Sequence, residues 1–440
     1  MKNWRKEDFI MIGIFLGLAL LMFLAYKGIS TIWAAPICAI LVAISGGLEP
    51  VGTYLTTYMQ GFVGFTSSWF PAFMLGAIFG KVMEATGAAH AVGHWIAKAI
   101  GAKRAILAVV LACAAMTYGG ISLFVAIFVV YPIALPLFRE ANFPRELIPG
   151  CFTLGAFTFT MTALPGSPQI QNLIPMQYMG TTANAAPVLG CVSAVIMFVL
   201  GILWLNYRQR KLAKVGIGFV EPADSPVDVV REKIMHPALC FLPLIVVVVL
   251  LAILGLNIVV ALFAGIVAAI LVGFKEIKEK GIVKVINDGA LSSMASIINT
   301  SAVVGFGSVV KAVPGFVTLT DGLMSIGGSP LIAVALAVNV LCGATGSASG
   351  GLGLSLEALG DRIAALSAQS GIPMETFHRI AALSSGGLDS LPHNGGVVTC
   401  LSACGLTHKE AYLDMCMTSV VIPIFTTVIA IILASLGLTF

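Results

Sequence analysis

Uncharged apolar runs of bilayer length recur along this chain, and they restrict its fold more than any other feature. The segments 187–206, 237–254 and 257–274 contain no charged residue, and about 20 apolar residues in a helix cross the hydrocarbon core. Inside lipid every backbone N–H and C=O must be satisfied by the protein itself, so runs of this kind are read as helices. Composition agrees. Of 440 residues 58% are hydrophobic and 10% charged, where soluble domains carry about 25% charged residues. The expected fold class is therefore an all-α polytopic membrane protein whose constant partner is the lipid bilayer. Lys2 to Asp8 lead straight into a span, so no cleavable signal is read. The nine cysteines lie almost all within apolar runs, as small buried hydrophobes rather than disulfides. No Cys/His pair has zinc spacing, so neither a metal nor another cofactor is expected. A net charge of +4 gives no reason to expect a nucleic-acid partner. No GxxxxGK[ST] string is present, which argues against an ATP-driven pump.

The chain also repeats itself. Gln60 to Gly87 lies over Asp288 to Gly315, each an apolar span with one late lysine (Lys81, Lys311) and a closing glycine. The shift is about 228 residues. It carries Thr117-Tyr118-Gly119-Gly120 onto Thr345-Gly346-Ser347, and Leu164-Pro165-Gly166-Ser167 onto Leu391-Pro392-His393-Asn394. Matching helix interruptions in two halves are the best sequence pointer to a transporter's binding site.

The organisation read from this is a first repeat at 1–206, a polar linker at 207–236 and a second repeat at 237–440. The first half has spans near 9–26, 30–47 and 61–86, then an amphipathic interfacial piece at 88–101. Two half-length apolar runs around Thr117 to Gly120 make a re-entrant hairpin. A helix over 145–161 and 169–180 is broken at 162–168, and a span at 187–206 closes the half. The second half has spans at 237–254, 257–274 and 288–313, an interfacial piece, and a hairpin around Thr345 to Gly351. A broken helix around 389–396 and a last span near 415–437 complete it. With five crossings each, the halves are inverted. Most Lys and Arg, including Arg139, Arg145, Arg208 to Lys214 and Lys275 to Lys284, then share one face. The other face has Lys2, Arg5, Lys6, Arg362, Arg379 and Lys311. The positive-inside rule places the linker in the cytoplasm and both termini outside.

Two hairpin tips and two breaks are expected to meet at one midplane cavity. Their helix N-termini present free N–H groups and partial positive charge to an anion, and Gly119, Gly120, Gly166, Gly346, Gly395 and Gly396 let backbone approach it. Neutral hydrogen-bonding groups come from Thr117, Tyr118, Ser122, Thr162 and Ser167 in the first half. Thr345, Ser347, Ser349, Ser390 and Asn394 supply them in the second. The breaks contain no Arg or Lys. Asp389 and His393 are the ionisable members, and either suits a coupling proton. Each also has a plain structural reading: Asp389 as a helix cap, His393 as a donor to a freed carbonyl. Glu357, Asp361 and Arg362 read as an intrahelical charge set. His90, His94, His236 and His408 lie at span edges.

"CGATGSASGGLGLSLEAL" (342–359) and "SSGGLDSLPHNGGVVTCLSACGLTHKEAY" (384–412) resemble the gluconate:proton symporter (GntP) family, within it the D-beta-hydroxybutyrate permease branch. The resemblance covers most of the chain. It implies an elevator-type carrier of the ion-transporter superfamily, typically a homodimer in the bacterial inner membrane, with two re-entrant hairpins and two broken helices. It also implies proton symport of a small organic anion, with sodium left open as the coupling ion. Where sugar-acid members carry an Asn-Asp pair, this chain has His393-Asn394, which favours a 3-hydroxybutyrate-like acid over gluconate. Two other functions compete. A cation/proton antiporter needs more than one cavity acid, and the breaks offer only Asp389. An intramembrane enzyme needs a nucleophile–base pair, and only Ser390 with His393 approximates one.

Overall fold

The computed structural model describes residues 13–21, 23, 24, 27, 29–222, 234–316, 329–392 and 394–440. His393, Lys2, Arg5, Lys6, Arg231, Lys233 and most of the second interfacial piece lie outside them. Every regular element among the described residues is helical. In the first half, after a helical stretch at 13–21, these are α1 (Thr31–Ser45), α2 (Pro50–Ala85), α3 (Ala88–Ile100), α4 (Ala105–Tyr118) and α5 (Leu123–Ala141). Then come α6 (Ile148–Phe152), α7 (Ile170–Met179) and α8 (Pro187–Lys214). The second half has α9 (Pro237–Ile253), α10 (Ile258–Val272), α11 (Phe274–Lys280), α12 (Ile282–Ala312), α13 (Pro330–Thr345) and α14 (Ala348–Ser370). It closes with α15 (Met374–Ser385), α16 (Gly395–Ala403) and α17 (His408–Ser435). The order is that of the first half: α2 answers α12, the α4–α5 hairpin answers α13–α14, α6–α7 answers α15–α16, and α8 answers α17.

Four boundaries differ from expectation, the first for a clear local reason. α2 begins at Pro50 rather than 61, because Glu49 accepts from the Val51 and Gly52 amides and Pro50 sits in the first turn. α12 begins at Ile282 and runs 31 residues. α8 continues to Lys214, so the start of the expected linker is helix. α5, read as a half-length run, is 19 residues long and apolar enough to cross a bilayer alone. Among the described residues it is one of five such helices, with α2, α8, α12 and α17. Two bent pairs, α3 with Ala102–Tyr118 and α10 with α11, pass the same test together.

The central contact is α2 against α12. Each also packs on the other half's first helix pair, α12 on α1 and α2 on α10. Small residues make this possible, as membrane helices without a hydrophobic drive between them require. A Cβ on Gly289 would lie 2.7 Å from Ile78 Cα, and one on Gly305 would lie 2.8 Å from the Tyr58 carbonyl. The last spans, α8 and α17, are joined by a buried carboxylate: Asp414 Oδ1 accepts from Trp204 Nε1 at 2.9 Å and Arg208 Nε at 2.8 Å.

Backbone cannot move aside as a side-chain tip can, so Gly289→Ala is expected to separate α2 and α12. Overpacking of this kind costs about 1–3 kcal/mol. Gly76→Ala, whose new methyl would meet only Leu262 at 4.0 Å, serves as the control. Thermal unfolding in detergent should show a lowered midpoint for Gly289→Ala alone.

Candidate substrate site at the paired helix breaks

Each break arises where the sequence denies the helix its bonds. Before the first break, α6 loosens into two π-helical turns, Thr153–Phe157 and Phe159–Ala163, separated by Thr158 at φ −116°, ψ −109°. π-turns recur at functional sites. Pro165 and Pro168 then exclude a continuous helix until Ile170. In the second half the chain leaves α15 at Gly386, makes one 3-10 turn over Leu388–Ser390, and resumes at Gly395.

The freed backbone is satisfied in the same manner in both halves. An amide side chain at the start of the second arm reaches the tip of its own hairpin. Gln169 Nε2 donates to the Thr117 carbonyl at 2.6 Å and the Ile121 carbonyl at 3.4 Å. Asn394 Nδ2 donates to the Gly346 carbonyl at 3.0 Å and the Asp389 carbonyl at 2.9 Å, while its Oδ1 caps α16 through the Val397 amide at 2.9 Å. Tyr118 Oη adds a bond to the Pro165 carbonyl at 2.9 Å. The two breaks touch where a Cβ on Gly386 would press on Thr162, and one on Gly396 on the Phe157 ring.

So each hairpin tip meets its own break, and the two breaks meet each other. Thr117, Thr162, Ser167, Thr345, Asp389, Ser390 and Asn394 are all buried. Their groups are largely spent on the protein. Thr117 donates to Cys113, Thr162 to Thr158, Ser167 to Thr160 and Thr345 to Cys342, each to a carbonyl. Ser347 Oγ caps α14 through the Gly350 amide, and Ser349 lies near Thr300 of α12. Ser122 and Gly120 are half-buried at the first tip, and Gly119 and Gly166 are buried beside it. Asn394, expected to reach a ligand, is instead the latch between break and tip. It is also the helix cap, a role that was one of two readings for Asp389. Gly395 is exposed, with open space around it.

Two residues were misplaced or missed. Arg379, assigned from sequence to a loop, is fully buried. Its guanidinium spans the joint between the halves: Nε and Nη2 donate to the Ala185 carbonyl at 3.1 and 2.7 Å, and Nη1 to Asn172 Oδ1 at 3.0 Å and the Thr162 carbonyl at 3.5 Å. Among the described residues it has no ion-pair partner. The site is therefore not free of Arg, and Arg379 does not count as a loop charge. Beside it His378 is also buried, its Nδ1 2.6 Å from Thr181 Oγ1 and its Nε2 without a partner among the described residues. The repeat itself held the signal. Carried back to α6, the same shift places residues near about 376–385 inside a membrane helix. Glu357 and Asp361 form no intrahelical set either. Glu357 accepts from Tyr178 of α7 at 3.2 Å, and Asp361 pairs with Lys311 of α12 at 3.4 Å.

Comparison with known proteins follows this geometry. The model of the GntP family permeases matches residues 9–225. YxjC, an uncharacterized transporter of Bacillus subtilis, is 39% identical over 452 residues, covering 92% of this chain and 94% of its own. The chain belongs to the GntP permease family. The YdaH transporter of Alcanivorax borkumensis, whose crystal structure reveals an unusual topology, is 16% identical. It matches with a TM-score of 0.56 over 89% of this permease and 90% of its own chain, a likeness of fold alone. The permease is a multi-pass membrane transporter.

The latch is testable. Asn394→Asp keeps an oxygen to cap α16 but loses the donors to Gly346 and Asp389, whereas Asn394→Ala loses both roles. A lost N-cap costs about 0.5–2 kcal/mol, and one lost hydrogen bond about 0.5–1.5 kcal/mol. Both variants should unfold earlier, and hydrogen exchange at 345–347 should rise in both. Unchanged exchange at that tip in Asn394→Asp would rule out the latch.

Proposed function

We propose that the permease is a secondary carrier that takes up a small hydroxy-carboxylate, of the size of 3-hydroxybutyrate, by proton symport. The observation that carries this reading is Arg379. A guanidinium buried in hydrocarbon without a counter-ion is costly. Here it is held by carbonyls alone, so the joint between the breaks keeps net positive charge and favours an anion. This weighs against a cation/proton antiporter. The exposed amide end of α16 at Gly395 adds a neutral anion-binding element. Conformational change opens the latched tips in turn, exposing Ser390, Gly396 and the N–H groups they flank to the ligand's carboxylate and hydroxyl.

For coupling, Asp389 is the described candidate and His393 the other. Among the described residues Asp389 receives one side-chain donor, Ser390 Oγ at 3.2 Å, and no cation. A lone carboxylate there costs ~2.5–3.5 kcal/mol on insertion scales, which suits it to take up a proton before the site moves. We further assign the linker to the cytoplasm and both termini to the outside of the bacterial inner membrane, in a homodimer of inverted repeats at 1–206 and 237–440. With Arg379 removed from the loops, the positive excess on the linker face is larger.

Proteoliposomes test this directly. Labelled 3-hydroxybutyrate should accumulate under an inward proton gradient and be competed by short hydroxy acids much more than by gluconate. Strong gluconate uptake would refute the smaller-acid reading. Asp389→Asn or His393→Gln, whichever removes the coupling group, should abolish gradient-driven uptake yet retain exchange; accumulation by both variants would exclude this stretch as the proton carrier. A cysteine at Val215, in a Cys191→Ser background, should react with impermeant reagents only from the cytoplasmic side.

A further inference from the structure

A cavity of about 440 Å³ lies away from the tips, walled by α2 and α12 on one side and by α7 and α14 on the other. This is within the ~300–1,000 Å³ range of small-ligand pockets. Its two charged groups come from opposite walls, Lys311 from α12 and Glu357 from α14. Gln60 and Ser308 supply neutral groups on the α2–α12 side, and Gln177 closes one flank by donating to Ser68 Oγ at 3.1 Å. Glu357 lies ten residues beyond Ser347 on the same helix, about 15 Å at helical rise. The cavity is thus separate from the second hairpin tip.

The charged groups are only partly committed. Tyr178 Oη donates to one oxygen of Glu357, which holds the carboxylate in place while the other oxygen has no bond among the described residues. Lys311 meets Asp361 at 3.4 Å, but that carboxylate is 96% exposed, and an ion pair so placed adds little. A carboxylate entering the cavity can displace it. A cation and a positioned acceptor across a polar gap match a molecule with a carboxylate at one end and a donor at the other.

We infer that this cavity is a capture site for the organic anion, in which Lys311 takes the carboxylate and Glu357 accepts from the hydroxyl. The assignment of the hydroxyl rests on the hydroxy-carboxylate reading above. Binding here touches both walls, so a ligand that fits only one relative placement of α12 and α14 biases their movement.

The test uses the full-length protein in nanodiscs, with Thr57→Cys as a reporter on the cavity wall in a Cys191→Ser background. Labelling by a charged thiol reagent is measured against 3-hydroxybutyrate, butyrate and 3-aminobutyrate. 3-Hydroxybutyrate should protect. Lys311→Gln should raise the half-protecting concentration about tenfold or more, the loss expected for a charged hydrogen bond, while Lys311→Arg retains most protection and controls for folding. Butyrate should protect less well than 3-hydroxybutyrate, and Glu357→Gln should narrow that difference. Protection unaffected by Lys311→Gln would overturn the site, and stronger protection by 3-aminobutyrate would overturn its hydroxyl assignment. Wild-type uptake of 3-hydroxybutyrate without protection also rejects the capture site while leaving the carrier reading intact. Protection without uptake upholds the site and refutes the carrier reading.

Discussion

Backbone that leaves a helix inside hydrocarbon must find its hydrogen bonds within the protein. The permease interrupts helices at two corresponding places, and the rest of the architecture answers that need. The break carbonyl of Thr162 and the Ala185 carbonyl of the α7–α8 connection are taken by Arg379, tip carbonyls at Thr117 and Gly346 by Gln169 and Asn394. Without these donors the interruptions would lose hydrogen bonds worth about 0.5–1.5 kcal/mol each. The breaks therefore exist only because long polar side chains, drawn partly from other elements, converge on them.

The two halves solve the problem alike but not identically. Gln169 needs its extra methylene to reach past its own helix start to two carbonyls of the first tip. Asn394 is shorter and divides its amide between capping α16 and holding the second tip. The cross-linking residue of the joint, Arg379, belongs to the second half but serves carbonyls of the first. A mutual dependence of this kind ties one half's position to the other's, as the proposed coupled carrier would need. The scaffold shows the same exchange, since α2 and α12 each pack on the opposite half's first helix pair.

Arg379 also changes how the electrostatics of the site are understood. A site built from dipoles and hydroxyls alone would hold an anion weakly. One with a buried guanidinium near it keeps a fixed positive potential at little reorganisation, because its rigid plane is already held by four hydrogen bonds to Ala185, Thr162 and Asn172. On the proposed reading such a charge attracts the anion without contacting it, and leaves direct recognition to the groups at the tips and breaks.

Much of the architecture was legible in the chain itself. Apolar runs of bilayer length determine helices, and the repeated Pro- and Gly-bearing interruptions determine where helices stop, because both rest on local backbone chemistry. Asp389 and Asn394 stood out because polar residues in an apolar run are rare. Their roles did not follow. Whether Asn394 binds a ligand or latches a tip depends on the Gly346 carbonyl 48 residues away, a distance no local pattern encodes. The start of α2 was missed because a first turn holding Pro50, Gly52 and Thr53 and capped by Glu49 looks like loop, and that of α12 because Lys284, Asn287 and Asp288 interrupt its apolar run. Arg379 was read as a loop charge for the same reason: its neighbours His378 and Glu375 make the segment polar. Only the tertiary structure surrounds it with carbonyl oxygens of the first half, Ala185 in the α7–α8 connection and Thr162 at the break, and so buries a surface-type residue at the joint between the halves.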